Sequence, residues 1–465
     1  MLVGADMFEK VGFMIKRLMK RPSATGRAAL FAAVALSSLA VAAPAAALPP
    51  IVTAVAPSEI PNFYRARADK PLWLADKPAA TALIALLKSA SLDRVDAAML
   101  DLAPLDAALA AADGSEPQAV ARADALLSDR FVRYARAIRT IDPQAMGFEI
   151  ADPRIRPSVP SATNLLRDAA AAPSLASYIG QMRWMNQNYA PLRSAIAAST
   201  KAGDARLTAQ LRVNMQRVRL LPDQSTPRYV MVNIPAQRLD MVEYGKVVDS
   251  MRVIVGKPEM PTPTLGSMIY YVAVNPYWNV PTDLVSERVA PNVLKEGLNY
   301  IKKKGYYILS DWSDHPTTID PTTIDWKQVQ AGKVVLRMRQ DPGDTNAMGH
   351  VKFPFPNVHG VYLHDTPQKE LLTSSVRMFS AGCVRLEAAP RLSQWLLGSP
   401  LNYQGQPAEQ FKSVVKPVPV FLAYLTAGPS ASSGQVAYLK DSYGRDTRGL
   451  AELTKTSDTA AGGGR

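Results

Sequence analysis

The chain's only cysteine, Cys383, stands in a segment rich in groups that could carry out acyl transfer. A free thiol, with a pKa of about 8.5, is only slightly ionised at neutral pH, so a nucleophilic cysteine needs a base beside it. His364 ends an apolar, strand-like run 19 residues upstream, and a return loop of that length can bring it to the thiol. We predict Cys383 as the nucleophile and His364 as its general base. His359 is the alternative base, or a residue that lines the site.

Two neighbours of Cys383 have residue types that suit the same chemistry. Gly382 allows a tight turn that could direct its own N–H and that of Cys383 at one point, as an oxyanion requires. Arg385 lies two residues after the cysteine, so in an extended segment it points to the same side. There it could hold a substrate carboxylate in a bidentate grip. The alternative for Arg385 is an ion pair with a surface carboxylate.

Other kinds of site have weaker support in the sequence. One cysteine and two nearby histidines lack the usual spacing of zinc ligands, so no metal site is predicted. His315 and His350 lie in polar contexts typical of surface loops. The formal net charge is +13, yet no nucleic-acid-binding motif or basic stripe with interleaved aromatic residues is present. No nucleic-acid partner is therefore predicted.

The N-terminal segment predicts export. Basic residues precede the apolar run 28–43, which ends in Ala45-Ala46-Ala47 before Leu48-Pro49-Pro50. This order is typical of a secretory signal peptide, and the run is short for a spanning helix. We predict cleavage near Ala47, contact with the membrane only during export, and a mature protein in the periplasm. Met14 is an alternative start. An exported chain with one unpaired thiol indicates a task for that thiol.

The remaining chain divides by its hydrophobic pattern. Residues 48–227 are Ala-rich with helical periodicity, notably at 79–90, 97–111, 117–139 and 206–221, which predicts a helical domain. Residues 228–450 hold strand-like runs bounded by Pro and Gly, at 229–234, 237–244, 247–255, 268–274, 334–338, 361–364, 417–425 and 436–439. A polar, partly helical stretch at about 282–333 interrupts these runs. We interpret it as an insertion, and a lid over the site is one hypothesis for its role. The tail 451–465 has a composition typical of disorder.

The segment 380–385, with His364 in the stretch 362–367 upstream, resembles the catalytic signature of L,D-transpeptidases of the YkuD fold. The likeness extends to the large periplasmic, YcbB-like branch of that family. It covers about 228–450, and the further stretches that carry it in order are 232–235, 253–258, 261–263, 275–281, 349–357 and 443–446. The stretches 64–67 and 71–73 weakly resemble that branch's scaffold region.

The resemblance implies an α+β chain: a mainly β catalytic domain with an inserted capping subdomain, preceded by an α-helical scaffold domain. It also implies that Cys383 attacks a peptidoglycan stem peptide after meso-diaminopimelate and releases D-alanine. The acyl group then passes to a neighbouring stem, which gives a 3→3 cross-link. Carbapenems typically acylate such a cysteine. By position in the motif, Tyr362, Ser380 and Arg385 would line the donor site. No cofactor is implied.

The chain departs from the family pattern at two places. Ala381 stands where many members have histidine, although the YcbB-like branch commonly lacks it. The stretch 196–228 is too short for the peptidoglycan-binding module that this branch often carries, so wall attachment by such a module is in doubt.

Two rival functions stay open. A papain-like wall endopeptidase would normally place its cysteine before its histidine, whereas His364 precedes Cys383 here. Net hydrolysis by the transpeptidase itself is still possible, because water competes with the acceptor amine. A wall-binding scaffold without activity is the non-enzymatic alternative, and the intact Cys383, His364 and Arg385 argue against it.

Overall fold

The computed structural model describes residues 58–113, 116–313, 315–430 and 435–451. The predicted signal peptide at 1–47 lies outside the described residues, as does the predicted disordered tail except for Ala451.

The first part of the described chain is helical. Its helices are α1 (Glu59–Ala66), α2 (Lys77–Lys88), α3 (Ala97–Leu100), α4 (Ala103–Ala112), α5 (Pro117–Arg139), α6 (Ala162–Ala170), α7 (Leu175–Gly180), α8 (Tyr189–Lys201) and α9 (Ala205–Val218). The helix predicted over 97–111 is two helices instead. Asp101 takes a left-handed conformation with φ 43° and ends α3, and Pro104 then opens α4, where its missing N–H does no harm.

A buried carboxylate ties the start of this region to its longest helix. Asp124 of α5 accepts hydrogen bonds from the backbone N–H groups of Leu72, Trp73 and Leu74 at 2.7, 2.9 and 2.7 Å. The Tyr64 hydroxyl donates to the same carboxylate at 2.5 Å. Asp124 has no exposed surface, so each of these donors depends on it rather than on water. The two N-terminal stretches that include Tyr64 and Trp73 therefore converge on one residue.

The second part is rich in strands. With β1 from the helical region, they are β1 (Glu149–Ile150), β2 (Arg228–Asn233), β3 (Arg238–Glu243), β4 (Lys246–Gly256), β5 (Leu265–Val274), β6 (Trp278–Val280), β7 (Tyr306–Leu309), β8 (Thr318–Ile319), β9 (Arg337–Gln340), β10 (Val351–Phe353), β11 (Leu363–His364), β12 (Met378–Ser380), β13 (Val384–Leu386), β14 (Gln410–Ala423), β15 (Ala427–Pro429) and β16 (Val436–Tyr438). A further helix of this part spans Ala389–Leu397.

The main sheet closes on itself. Its strands follow the order β5-β10-β11-β13-β4-β3-β2-β14, and β14 also pairs with β5. The long strand β14 achieves this by running parallel to β2 and antiparallel to β5. β1 adds at the outside of β5, and β12 pairs with β4. Because of this closure, neither β2 nor the part of β14 beside it is an edge strand of the sheet.

The strand β2 shows why its sequence is an unbroken apolar run. Tyr229 and Met231 pack into the core formed with the helices, whereas Val230 and Val232 pack into the core enclosed by the strands. Successive side chains of a strand point to opposite faces, so a strand covered on both faces needs apolar residues at every position.

The insertion between β5 and β10 has a sheet of its own. In the described residues its strands pair in the order β6-β9-β7-β8. Its helices are α10 (Thr282–Leu284), α11 (Ala290–Glu296), α12 (Asn299–Lys304) and α13 (Trp326–Gln330), with a π-helical turn at Val285–Val289. The insertion is therefore longer than the predicted 282–333. The strand predicted at 334–338 is β9 and belongs to this sheet rather than to the main one.

Within the described residues, no helix has the length and apolar character needed to cross a bilayer.

The Asp124 contacts predict a large stability loss on truncation. Asp124→Ala leaves several buried donors without an acceptor, at about 1–3 kcal/mol each, so we expect a loss of roughly 3 kcal/mol or more in the free energy of unfolding. Urea unfolding measures it. The control is Asp106→Ala, because Asp106 makes an exposed ion pair with Lys88 and is expected to cost at most about 1 kcal/mol. Equal losses in both variants would contradict the anchoring role.

Candidate active site

The candidate site forms where three short strands lie side by side. β10 pairs with β11, matching Lys352 with His364, and β11 runs parallel to β13, matching His364 with Arg385. Residues directly opposite each other share a face of the sheet, on strands about 4.8 Å apart. Lys352, His364 and Arg385 therefore form one row across the sheet, which we call the cationic row.

Cys383 belongs to the next row. Leu363 pairs with Val384, and the Val384 N–H donates to the Tyr362 carbonyl at 3.1 Å, so Cys383 lies opposite Tyr362. Tyr362 and His364 are two residues apart and share a face, and their rings meet edge to face at 5.8 Å between centroids. The structure thus brings together five residues on one face: Cys383, Tyr362, His364, Arg385 and Lys352.

The turn before Cys383 depends on a glycine and a serine. Gly382 has φ +109°, a backbone conformation that residues with a side chain rarely adopt. The Ser380 hydroxyl donates to the Cys383 carbonyl at 2.6 Å and accepts from the Gly382 N–H at 3.2 Å. The Gly382 N–H is therefore already engaged within the turn. The oxyanion role predicted for the Gly382 N–H and the Cys383 N–H stays a prediction.

A threonine fixes the same turn from the opposite side. The buried Thr262 hydroxyl donates to the Gly382 carbonyl at 2.8 Å and accepts from the Gly256 N–H at 2.9 Å. The Tyr443 hydroxyl donates to the Gly256 carbonyl at 2.5 Å, and Arg445 donates to the Thr262 carbonyl at 2.9 Å. Two stretches far apart in sequence therefore position the thiol loop. The resemblance covers the stretches 261–263 and 443–446, but it predicts no role for Thr262, Tyr443 or Arg445.

The orientation of His364 is set by the residue that follows it. Its Nδ1 lies 2.5 Å from the Asp365 carbonyl oxygen, which makes Nδ1 the protonated nitrogen and leaves Nε2 as the acceptor. The Asp365 carboxylate accepts from the His350 N–H at 3.1 Å and from Lys369 at 2.6 Å. A side chain at Gly349 would meet this carboxylate, since an added Cβ would lie 2.4 Å from Oδ2. The absence of a side chain at Gly349 therefore leaves the space that the Asp365 carboxylate occupies.

The environment of His364 strongly favours the neutral imidazole. Only 2% of its surface is exposed. Burial, together with the charges of Arg385, Lys352 and Lys369, lowers its pKa from an ordinary value of 6.5 to about 3, against an opposing effect of the Asp365 carbonyl. An unprotonated base is what proton abstraction from a thiol requires.

The surroundings of the Cys383 thiol act on its pKa in opposite directions. Burial is the largest influence and raises the pKa of Cys383 overall, whereas hydrogen bonding to Tyr362 and the charges of Lys352 and Arg385 oppose this rise. Burial raises the pKa of Tyr362 well above its ordinary value, so its hydroxyl keeps its proton and can donate to the sulfur. The resting pair is accordingly a neutral thiol and a neutral imidazole.

Arg385 is half-buried and has no carboxylate within ion-pair distance among the described residues. Its Nη1 donates to the Gln368 side chain at 2.8 Å. Burial and the nearby charge of Arg288, an exposed residue of the insertion, lower its pKa. The surface ion pair considered for Arg385 is therefore absent among these residues, and the site carries unmatched positive charge.

The remaining predicted residues are placed as follows. Ser380 is buried and serves the turn. His359 lies in the exposed turn 358–360, and a role for it stays a prediction. Lys352 was missed from sequence, where its only signal is a lysine between Val351 and Phe353, two fully buried residues. The described residues contain no group of three His, Cys, Asp or Glu side chains suited to a metal ion.

Two regions of the chain match known protein domains. Residues 227–420 match the model of the YkuD L,D-transpeptidase catalytic domain, and residues 58–196 match that of the Scaffold domain. An inferred L,D-transpeptidase of Haemophilus influenzae is 30% identical over 406 residues, which cover 84% of this chain and 79% of that protein.

Solved structures give weaker similarity. An L,D-transpeptidase from Mycobacterium smegmatis has 16% identity and a TM-score of 0.22, over 42% of this chain and 58% of that one. The L,D-transpeptidase LdtMt1 in complex with imipenem has 13% identity and a TM-score of 0.20, over 42% and 59%. The chain thus spans about three fifths of the length of those solved chains, and TM-scores this low carry no argument about the fold.

The domain matches confirm the predicted family and the predicted fold class, a helical scaffold followed by a strand-rich YkuD domain. The alignment with the Haemophilus influenzae relative extends over most of this chain and most of that protein. The chain belongs to the L,D-transpeptidase family.

Proposed function

We propose that the protein is a peptidoglycan L,D-transpeptidase that forms 3→3 cross-links through an acyl-enzyme on Cys383. The observation that carries the proposal is the strand register that places Tyr362 and Cys383 in one row and His364 in the next, on one face. A thiol and a neutral imidazole held in this way have the residue types and the protonation states that acyl transfer requires.

The proposed reaction has two halves. The Cys383 sulfur attacks the carbonyl carbon after meso-diaminopimelate while His364 Nε2 takes the thiol proton. The C–N bond to D-alanine then breaks, and the imidazolium returns the proton to the leaving amine. In the second half the side-chain amine of another stem attacks the thioester and gives a proton to His364. The C–S bond breaks, and the sulfur recovers that proton.

The charge of the site fits a donor that carries carboxylates. Lys352 and Arg385 are cations near the thiol, Arg288 lies near Arg385, and Arg385 lacks a carboxylate partner among the described residues. A stem peptide ends in a carboxylate and carries another on diaminopimelate, so either could pair with Arg385. Such pairing would also neutralise a charge that opposes protonation of His364, and substrate binding would thereby make the base stronger.

The substrate also implies the place of action. Peptidoglycan lies outside the cytoplasmic membrane, so we infer that the protein works in the periplasm after removal of the N-terminal segment. The basic composition would favour contact with an acidic wall polymer.

Analysis of muropeptides by mass spectrometry tests the reaction directly. Wild-type protein incubated with tetrapeptide-rich peptidoglycan is expected to release D-alanine and to form 3→3 dimers, whereas Cys383→Ala forms neither. His364→Gln is expected to slow acylation by about 10²- to 10⁴-fold, the usual contribution of a general base. Release of D-alanine without dimers would favour the hydrolytic alternative. Unchanged product from Cys383→Ala would exclude the nucleophile, and no product from folded wild type would favour a scaffold.

The state of His364 predicts an unusual pH dependence. Because its pKa is about 3 rather than 6.5, the imidazole stays neutral throughout the range from pH 5 to 8. We expect the rate constant for acylation by a carbapenem to show no inflection near pH 6.5. Stopped-flow or mass-spectrometric rates over that range measure it, with His364→Gln as the reference. An inflection near pH 6.5 that is lost in this variant would contradict the buried, neutral base.

The unmatched charge of Arg385 predicts a loss of substrate capture. Arg385→Gln removes a charge-assisted contact with a carboxylate, worth about 1.5–3 kcal/mol, so kcat/KM for a tetrapeptide donor is expected to fall by roughly 10- to 100-fold, mainly through KM. The control is Arg391→Gln, because Arg391 is exposed and pairs with Asp249 outside the site. An unaltered KM in Arg385→Gln would refute this role.

A further inference from the structure

Lys352 occupies a position in the site for which neither the reaction nor the sequence motif accounts. It lies on β10, between the fully buried Val351 and Phe353, and its register partner on β11 is His364. The alternation of a strand turns Val351 and Phe353 to one face and Lys352 to the other, which is the face of the cationic row. A lysine is rarely placed among buried residues unless its charge has a partner.

We propose that Lys352 is a positioning residue that stabilises the Cys383 thiolate with its ammonium charge, acting across the ring of Tyr362. The inference rests on the proposed role of Cys383 as nucleophile and deepens it, because it identifies a source of the positive charge that the sulfur requires when it loses its proton.

The geometry supports this role in two steps. The Lys352 Nζ lies 3.8 Å from the centroid of the Tyr362 ring, a close cation–π contact. Tyr362 in turn lies opposite Cys383 on the same face, and each of the two side chains alters the pKa of the other. The ammonium is thus fixed against the residue that contacts the reacting atom, rather than free to sample solvent.

The Lys352 ammonium forms no ion pair among the residues that the structure describes, because no acidic side chain of these residues lies within ion-pair distance of it. Glu409, an exposed residue, acts on it only at longer range. Burial lowers the pKa of Lys352, and a thiolate at Cys383 raises it again. Thiolate and ammonium therefore stabilise each other in the charged form.

The imidazole cannot supply this charge in the resting enzyme. His364 stands between Lys352 and Arg385 in the cationic row and also faces Lys369, so three positive charges oppose its protonation. A thiolate–imidazolium pair is accordingly disfavoured before substrate arrives. The cations that face the thiol itself are Lys352 from β10 and Arg385 from β13, with Arg288 of the insertion acting on Arg385.

The test measures the ionisation of Cys383 without any wall substrate. Because the chain has a single cysteine, the rate of alkylation by iodoacetamide reports on that thiol alone. The pH dependence of the rate gives the midpoint of thiol ionisation. Lys352→Met keeps a similar side-chain volume and removes the charge. It is expected to raise this midpoint by one unit or more, which makes alkylation at least about ten-fold slower at a pH below the midpoint.

Two further variants separate charge from structure. Lys352→Arg keeps a cation over the Tyr362 ring and is expected to restore most of the alkylation rate. Lys412→Met is the matched control: Lys412 is an exposed lysine on β14, which pairs with β5 as β10 does, and its loss is expected to leave the midpoint unmoved. Circular dichroism and thermal unfolding establish that each variant is folded. If Lys352→Met does not fold, Lys352→Gln takes its place.

The outcomes are distinct from those of the proposed function. An unmoved midpoint in folded Lys352→Met or Lys352→Gln overturns the proposal, even if KM for a donor peptide rises, since Lys352 would then bind substrate instead. A raised midpoint that Lys352→Arg fails to restore also overturns it, because the effect would come from packing. Absence of cross-linking by wild type would reject the transpeptidase function but would leave the alkylation result intact.

Discussion

The site depends on the pairing of two very short strands, β11 and β13. Neither is long enough to be stable alone, and each exists because a neighbour holds its outer side, β10 for β11 and β4 for β13. Their register determines which side chains share a face. A shift by one residue would turn His364 away from the face that carries Cys383, because the side-chain period of a strand is two. Register therefore controls the chemistry more directly than any single contact.

Around this pairing, the buried polar groups are divided between geometry and charge. Ser380, Thr262 and Tyr443 use their hydroxyls to fix the thiol turn, and none of them needs to ionise. Lys352 and Arg385 contribute positive charge at the two ends of the cationic row. His364 lies between them as a neutral imidazole with one nitrogen engaged. These two charges partly offset the cost of burying a negative charge on sulfur, and they disfavour a positive charge on the imidazole.

The candidate site residues could be selected from the sequence because the reactivity of a side chain depends on its residue type. A lone cysteine preceded by a histidine-bearing strand pattern predicts a nucleophile and a base. The long helix α5 and the strand β2 were also predictable, since each repeats its period over many residues. Strands of two or three residues, such as β10 and β13, show no period to detect, so they were missed.

Long-range contacts were beyond sequence reasoning for a different reason. Lys352 appears in the sequence as an ordinary polar residue between apolar ones, and only the register with His364 gives it meaning. The Ser380 hydroxyl accepts a hydrogen bond from the Gly382 N–H, a contact that the sequence did not predict. The separate sheet of the insertion was hidden because its strands lie far apart in the chain, from β6 to β9.

The way β14 closes the sheet has a consequence for biogenesis. This strand joins β2 and β5, yet it begins 27 residues after the thiol and 177 residues after the end of β2. During synthesis from the N-terminus, the ring of strands stays open until β14 has emerged. The thiol of Cys383 therefore leaves the ribosome before the strand that closes the sheet around it, and its surroundings are complete only after β14 pairs.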